Sequence, residues 1–236
     1  MIKKIFKYSI KSLLLFLIGF NLYLLLVFAL FRFVDPPTTA FIQQNENSSF
    51  LNIISSNNIS QKWVPIKSIS NNMIYAVIAS EDQRYLEHFG IDITEVEKVI
   101  EKKKSRRKSR GASTITQQTA KNLFLFPQKL FIRKGIEIYY SFLMEIFWGK
   151  QRIIETYLNI AQFGGNIYGV EAASRFYFKK SAQHLSINES AQLAAILPNP
   201  VRLKLKNKSR YLLNRIARIE RQMNNLPKVE IIKELK

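Results

Sequence analysis

Residues 111–122 read GASTITQQTAKN, and their spacing decides how this part of the chain folds. Thr114 followed three residues later by Gln117 is a capping box: the hydroxyl accepts from a backbone N–H while the amide reaches back, so a helix opens here. It runs to Phe124 before the pattern breaks. On that helix Thr114, Gln118 and Lys121 fall at i, i+4 and i+7 and share one face with Gln117. Amides and a cation beside a helix N-terminus suit a phosphate or sugar ligand. A solvated face carries the same residue types, and this segment alone does not separate the two.

Helical spacing continues in both directions. Upstream, Met73, Ile74, Val77 and Ile78 make one stripe of a helix over residues 70–82, with Ser70 as its cap. Downstream, residues 129–148 carry Phe131, Ile136, Ile138, Tyr139, Phe142, Leu143, Ile146 and Phe147. A helix so apolar must be central or touch lipid, and Gly149 stops it. Further helices are predicted over 150–161, from Val170 after the Gly164-Gly165 loop, and from the Ser186-x-x-Glu189 capping pattern to Pro198. Leu212, Ile216, Ile219 and Met223 stripe a basic helix near the C-terminus. The domain reads as all-α, without internal repeats.

With 47% apolar and 12% aromatic residues in a chain of 236, there is material for a full core. The absence of cysteine excludes thiol nucleophiles, Cys-ligated zinc and iron–sulfur clusters. Two histidines, His88 and His184, argue against a multi-His metal site. A formal charge of +19 calls for an anionic partner: nucleic acid, lipid headgroups or a phosphate-bearing substrate. The N-terminus narrows that choice. Lys3, Lys4, Lys7 and Lys11 precede an uncharged stretch, residues 12–31. As a helix it would span about 30 Å, the thickness of a bilayer's hydrocarbon core. A cleaved signal peptide has an apolar run of roughly 7–15 residues and an A-x-A site, so an uncleaved anchor is expected. The lysines place the N-terminus in the cytoplasm and the rest of the chain outside it. Three parts result: residues 1–34 as tail and anchor, 35–62 as a juxtamembrane linker rich in Pro, Thr, Asn and Ser with room for a short strand, and 63–236 as the domain.

Two more segments carry chemistry. In Glu81-Asp82-Gln83-Arg84-Tyr85-Leu86-Glu87-His88-Phe89-Gly90, the acidic pair falls where an apolar helix ends. The negative end of the helix dipole disfavours a carboxylate there and makes it a better proton acceptor. In Arg133-Lys134-Gly135-Ile136-Glu137 the cations precede the acid by four and three residues, the weaker orientation for a surface ion pair. Polar residues gathered on one side of so apolar a helix suggest a site. Residues 98–110 hold eight basic side chains against one acid, Glu101. They read as a mobile loop attracted to anionic lipid, each charge contributing about 1 kcal/mol near the surface.

Order and spacing together resemble the family-51 glycosyltransferases, the peptidoglycan polymerases. The carriers are EDxx(F/Y)xxHxG at 81–90, GxSTITQQ with KN at 111–122, RKxxE at 133–137, KxxIxExYLN at 150–159 and GxxxxxYGVxxAxxxYF at 164–178. Tyr85 stands where the family usually has Phe. The resemblance implies a lysozyme-like, two-lobed all-α glycosyltransferase domain behind one transmembrane helix, with a cleft holding two lipid-linked glycans. It implies that Glu81 is the catalytic base and Glu137 the second acid, and that Lys121 and Arg133 contact the donor diphosphate. Asp82, Tyr85, His88, Ser113, Thr114, Gln117, Gln118, Asn122 and Lys134 would join them in the cleft.

The activity implied is inverting polymerisation of a lipid-linked disaccharide-peptide (lipid II), with release of undecaprenyl diphosphate. Its setting is the outer face of a bacterial inner membrane, alongside other cell-wall synthesis proteins. No obligatory cofactor is indicated. A divalent cation such as Mg2+ can add charge at the leaving group, although no metal motif is visible. Two other readings are a lysozyme-like glycan-cleaving enzyme and a membrane-tethered basic binding protein. A cleaving enzyme has no diphosphate to hold, and no nucleic-acid motif accompanies the charge. Ser105-x-x-Lys108 matches S-x-x-K without a K-T-G, so no transpeptidase activity is expected.

Overall fold

The computed structural model describes residues 2–45, 59–105, 111–125 and 131–236. Its elements are α1 (Ile2–Phe31), α2 (Ala40–Asn45), β1 (Ser60–Gln61), α3 (Asn71–Glu81), α4 (Ile93–Lys104) and α5 (Ile115–Phe124). Then follow α6 (Phe131–Phe147), α7 (Gly149–Ile160), β2 (Ile167–Tyr168), α8 (Val170–Phe178), α9 (Ile187–Ile196), α10 (Arg210–Asn224) and α11 (Lys228–Leu235). The expected all-α architecture is present among the described residues, with one two-residue parallel pair, β1–β2.

The helices begin where the capping chemistry places them. Ser70 accepts from the Asn72 N–H at the start of α3, and full capping boxes open α5 at Thr114–Gln117 and α9 at Ser186–Glu189. Two groups of helices form around one core. In one, α3 is sandwiched against α9 and α10; in the other, α5 packs on α6 and α7. Nearly all of α3 is buried, from Met73 to Ser80, which is why its sequence is apolar all round. Gly169 joins β2 to α8 at φ +78°, where a Cβ would lie 2.6 Å from the Asn159 carbonyl oxygen, so a side chain there would have no room. The Asn159 amide in turn exchanges two 2.9 Å hydrogen bonds with the Val64 backbone and holds the strand β1 region against α7.

Two expectations change, and one helix was not predicted. Residues 98–104, read as part of a mobile loop, are the second half of α4; Asp92 caps that helix by accepting from the Glu95 N–H at 3.0 Å. Residues 106–110 of the same basic run lie outside the described residues. The segment 35–62, read as a linker, contains α2, which buries Ala40 and Ile42 and packs on α5. Finally, α11 follows Pro227, and its buried Ile231 and Leu235 close over α7; eight residues give too few repeats for a helical period to stand out in the sequence.

α1 is the helix long and apolar enough to cross a membrane among the described residues, with the span at Tyr8–Phe31. Its C-terminal end is docked on the domain. Phe28 is fully buried, and its ring lies 4.9 Å from Phe124, 5.6 Å from Tyr140 and 6.0 Å from Trp148.

Candidate active site

Glu81 ends α3, as its place after an apolar stripe requires, and its carboxylate is held from three sides. Oε1 accepts from the Ser80 hydroxyl and from Arg215 Nη2, each at 3.1 Å, and Oε2 accepts from Gln118 Nε2 at 3.1 Å. Gln118 is itself oriented by the buried Tyr157, whose hydroxyl donates to its Oε1 at 3.2 Å. Burial pushes the Tyr157 hydroxyl well above the usual tyrosine range, so it remains a donor. An ionised carboxylate offers about four lone-pair sites. Three are taken, and the free one is on Oε2.

Lys121 lies one turn beyond Gln118 on α5. Burial pushes its ammonium below the ordinary lysine value; Glu137 and, more weakly, Glu81 oppose this, while Arg133 and Lys134 reinforce it. These five side chains therefore share one electrostatic neighbourhood, assembled from α3, α5 and α6. Glu137 is buried and accepts from Lys134. Lys121 and Arg133 have no hydrogen-bond or ion-pair partner among the described residues, which leaves two cations without a protein anion.

The remaining sequence-derived positions sit behind this surface. Asp82 is buried: His88 Nε2 lies 2.9 and 3.0 Å from its two oxygens, and Oδ2 accepts the Ile115 N–H at 2.9 Å. It supplies negative charge at the N-terminus of α5, where free N–H groups and the helix dipole favour an anion. Thr114 and Gln117 are consumed by the capping box, and Thr114 also donates to the Gly90 carbonyl at 2.6 Å. Tyr85 is fully buried; its hydroxyl donates to the Lys150 carbonyl at 2.7 Å, and the Lys150 ammonium lies 4.6 Å from its ring centre. Burial drives its pKa well above the usual tyrosine value. Ser113, Gln118, Lys121, Asn122 and Arg133 keep partial exposure, and Lys134 is exposed.

Three residues of the site escaped the sequence reading. Arg215 is 6% exposed on α10, with Nε donating to the Ala195 carbonyl at 3.0 Å and Nη2 on Glu81. A signal existed: it falls at i+3 from Leu212 and i−4 from Ile219, a cation on a buried stripe, which must have a partner. Glu145 is buried on α6, and one of its oxygens accepts from the Gly90 N–H (3.0 Å), the Thr116 hydroxyl (2.7 Å) and Lys150 Nζ (2.7 Å). It ties the loop after α3, the helix α5 and the start of α7 to one point. Gly90 needs φ +79° to offer both its N–H and its carbonyl this way. Tyr157 is the third.

No group of three or more His, Asp or Glu side chains placed to hold a metal occurs among the described residues. Glu137, the carboxylate acting most strongly on Lys121, already binds Lys134, and that donor set does not fit a resident divalent ion.

Arg215→Met removes a charged donor from Glu81 and should lower turnover by about 10–100-fold, the range for losing one to two charge-assisted hydrogen bonds worth ~1.5–3 kcal/mol. Arg215→Lys should recover part of that loss. Steady-state kinetics on both variants, with thermal unfolding as the control for folding, checks this.

An oriented carboxylate and two cations without a protein anion among the described residues, on one helical frame, are an arrangement suited to group transfer on an anionic substrate. The family model for transglycosylases matches residues 47–224, and the chain belongs to that family. It is 48% identical over 195 residues to the biosynthetic peptidoglycan transglycosylase of Shewanella frigidimarina, an alignment covering 83% of this chain and 82% of the relative. It is 49% identical over 204 residues to the protein of that name from Haemophilus influenzae, covering 85% and 83%. The corresponding Marinomonas protein is 45% identical over 207 residues, covering 88% of each chain.

Proposed function

We propose that this protein polymerises peptidoglycan glycan strands from a lipid-linked disaccharide-peptide, with Glu81 as general base and Lys121 and Arg133 as the cations that receive the leaving diphosphate. The carrying observation is the pairing of an oriented carboxylate with two cations that have no hydrogen-bond or ion-pair partner among the described residues. The acceptor's 4-hydroxyl attacks the donor's anomeric carbon from the face opposite the diphosphate. Its proton passes to the free position on Glu81 Oε2, the new glycosidic bond forms, and the anomeric carbon–oxygen bond breaks with its electron pair leaving on the lipid diphosphate. Configuration inverts. A lipid diphosphate is already a good leaving group, so positive charge rather than a general acid assists its departure.

Glu137 positions Lys134 and shapes the field around Lys121. Asp82, Tyr85, His88, Thr114, Gln117 and Glu145 act behind the cleft, fixing α5 and the loop after α3. Ser113, Gln118 and Asn122 are the neutral donors that remain for sugar or phosphate oxygens.

The enzyme is anchored in the bacterial inner membrane by α1, with the N-terminus cytoplasmic and the domain on the outer face. The four N-terminal lysines support that orientation. Ile132, Ile136, Tyr139, Phe142 and Ile146 expose an apolar side of α6, and Tyr139 donates to Asn21 of α1 at 2.8 Å; both support seating α6 against the outer leaflet.

Purified protein incubated with lipid-linked disaccharide-peptide should yield glycan chains separable by size, together with lipid diphosphate. Release of fragments from finished cell wall without polymer formation would instead identify a cleaving enzyme. For topology, an export-dependent reporter fused after Asp35 should be active, and strong activity of a cytoplasm-dependent reporter there would overturn the orientation.

A further inference from the structure

We infer that the C-terminal end of α1 is a positioning element of the active site, a wedge packed against the junction of the helices that carry the diphosphate cations, and not only a tether. The inference rests on the assignment of Lys121 and Arg133 to the diphosphate. Phe124 is the last residue of α5 and lies one turn beyond Lys121; Tyr140 lies one turn beyond Glu137 on α6. Their rings meet edge to face at 5.5 Å. The buried Phe28 ring packs on both, and Phe31 stacks on Phe124 with centroids 6.2 Å apart. α5 and α6 pack directly on each other here, and two rings of α1 buttress that junction one turn from Lys121 and from Glu137.

Hydrogen bonds lock the wedge in register. The last four carbonyls of any helix lack intrahelical partners. Here Trp148 Nε1 donates to the Phe28 carbonyl at 2.7 Å, and Arg152 donates to the carbonyls of Phe31 (3.1 Å) and Val34 (2.9 Å) and to Asp35 (2.9 Å). In return Arg32 Nη1 donates to the Phe147 carbonyl at 3.0 Å. The Phe28 carbonyl also accepts from the Arg32 N–H at 3.3 Å, whereas a free-standing anchor would leave the Phe31 carbonyl and the Arg32 guanidinium to water and headgroups. Arg152 is also paired with Glu155 at 2.6 Å and lies 5.3 Å from the Trp63 ring centre, so the clasp is continuous with the body of the domain. A misplacement of about 1 Å at a charge-stabilising site can cost on the order of 10²-fold in rate, so a wedge that buttresses this junction acts on catalysis as well as stability.

The test uses the full chain in bilayers. Its readouts are kcat and KM on the lipid-linked substrate, affinity for undecaprenyl diphosphate without turnover, and the unfolding temperature. Replacing residues 12–20 with an unrelated apolar span of equal length, keeping the four N-terminal lysines and residues 21–35, should leave kcat/KM within about 3-fold of the parent, because tethering and orientation are kept and the wedge untouched. Phe28→Ala should lower kcat/KM by ~10-fold or more and weaken undecaprenyl diphosphate binding, and Phe28→Leu should restore most of both. Trp148→Phe keeps the ring and removes one donor, so it should show a smaller loss in the same two readouts even if Phe28→Ala folds poorly. Exchange of residues 2–35 for a foreign anchor should not restore activity.

If that exchange, or Phe28→Ala in folded protein, retained parental kcat/KM and diphosphate affinity, the anchor would be a tether only. A parent enzyme that binds the diphosphate but forms no glycan would count against the proposed function instead, because the diphosphate readout tests the wedge without turnover.

Discussion

Glu81→Gln is expected to reduce polymerisation by roughly 10²–10⁴-fold, the span for losing a general base, while lipid-linked substrate still binds. The substitution keeps the shape and the ability to accept from Ser80 and Arg215, and replaces Oε2, which accepts from Gln118 and would take the acceptor's proton, with an amide donor. The geometry makes the two glutamates unequal. Glu81 keeps a free lone pair on Oε2 within a cradle of donors from α3, α5 and α10. Glu137 is buried and engaged by Lys134 on its own helix. Glu137→Gln should therefore also impair the enzyme, with a larger share of its loss in KM. Single-turnover kinetics with separate measurement of substrate affinity distinguishes them. Near-normal turnover in Glu81→Gln alongside an inactive Glu137→Gln that binds normally would reverse the roles.

Lys121→Met should lower kcat/KM by about 10²–10³-fold, comparable to removing one preorganised donor from an oxyanion site. The ammonium is the partly buried cation of the cleft and has no protein partner among the described residues, so its charge is available to the diphosphate. Burial lowers its pKa, so the charge is lost on raising the pH earlier than from an ordinary lysine. Because the diphosphate prefers the charged form, affinity should fall as pH rises through that depressed value, and binding below it should raise the pKa toward normal. Lys121→Arg stays protonated throughout, so it should retain much of the affinity and lose this alkaline decline. Titrations with undecaprenyl diphosphate across the alkaline range, on parent and Arg variant, provide the check. A parallel decline in both would assign the effect to another group.

The legible part of the fold was the part governed by local rules. Capping boxes at Thr114 and Ser186, the cap at Ser70 and the stripe of α3 place helix starts within a residue or two, because those interactions close within one turn of chain. The apolar run of α1 reads directly as a span. α4 was misread because eight cations in residues 98–110 resemble a solvated loop, whereas Asp92 and the ion pair between Lys98 and Glu95 stabilise a helix over the first half.

By itself the sequence determined the class of structure, the anchor and the order of the chemical segments, since composition, period and motif spacing are properties of the chain. It also singled out Glu81, Lys121, Arg133 and Glu137. Only the tertiary structure decided what each does to the others. The Arg215 contact on Glu81 crosses 134 residues, the Asp82 contact on Ile115 crosses 33, and the Trp148 bond to Phe28 crosses 120. Contacts at such separations are fixed by how helices pack, and packing depends on the summed burial of surfaces that no local window contains. For the same reason no local window shows that Asp82 is buried against His88 and the Ile115 N–H, or that Phe28 of the anchor joins the core.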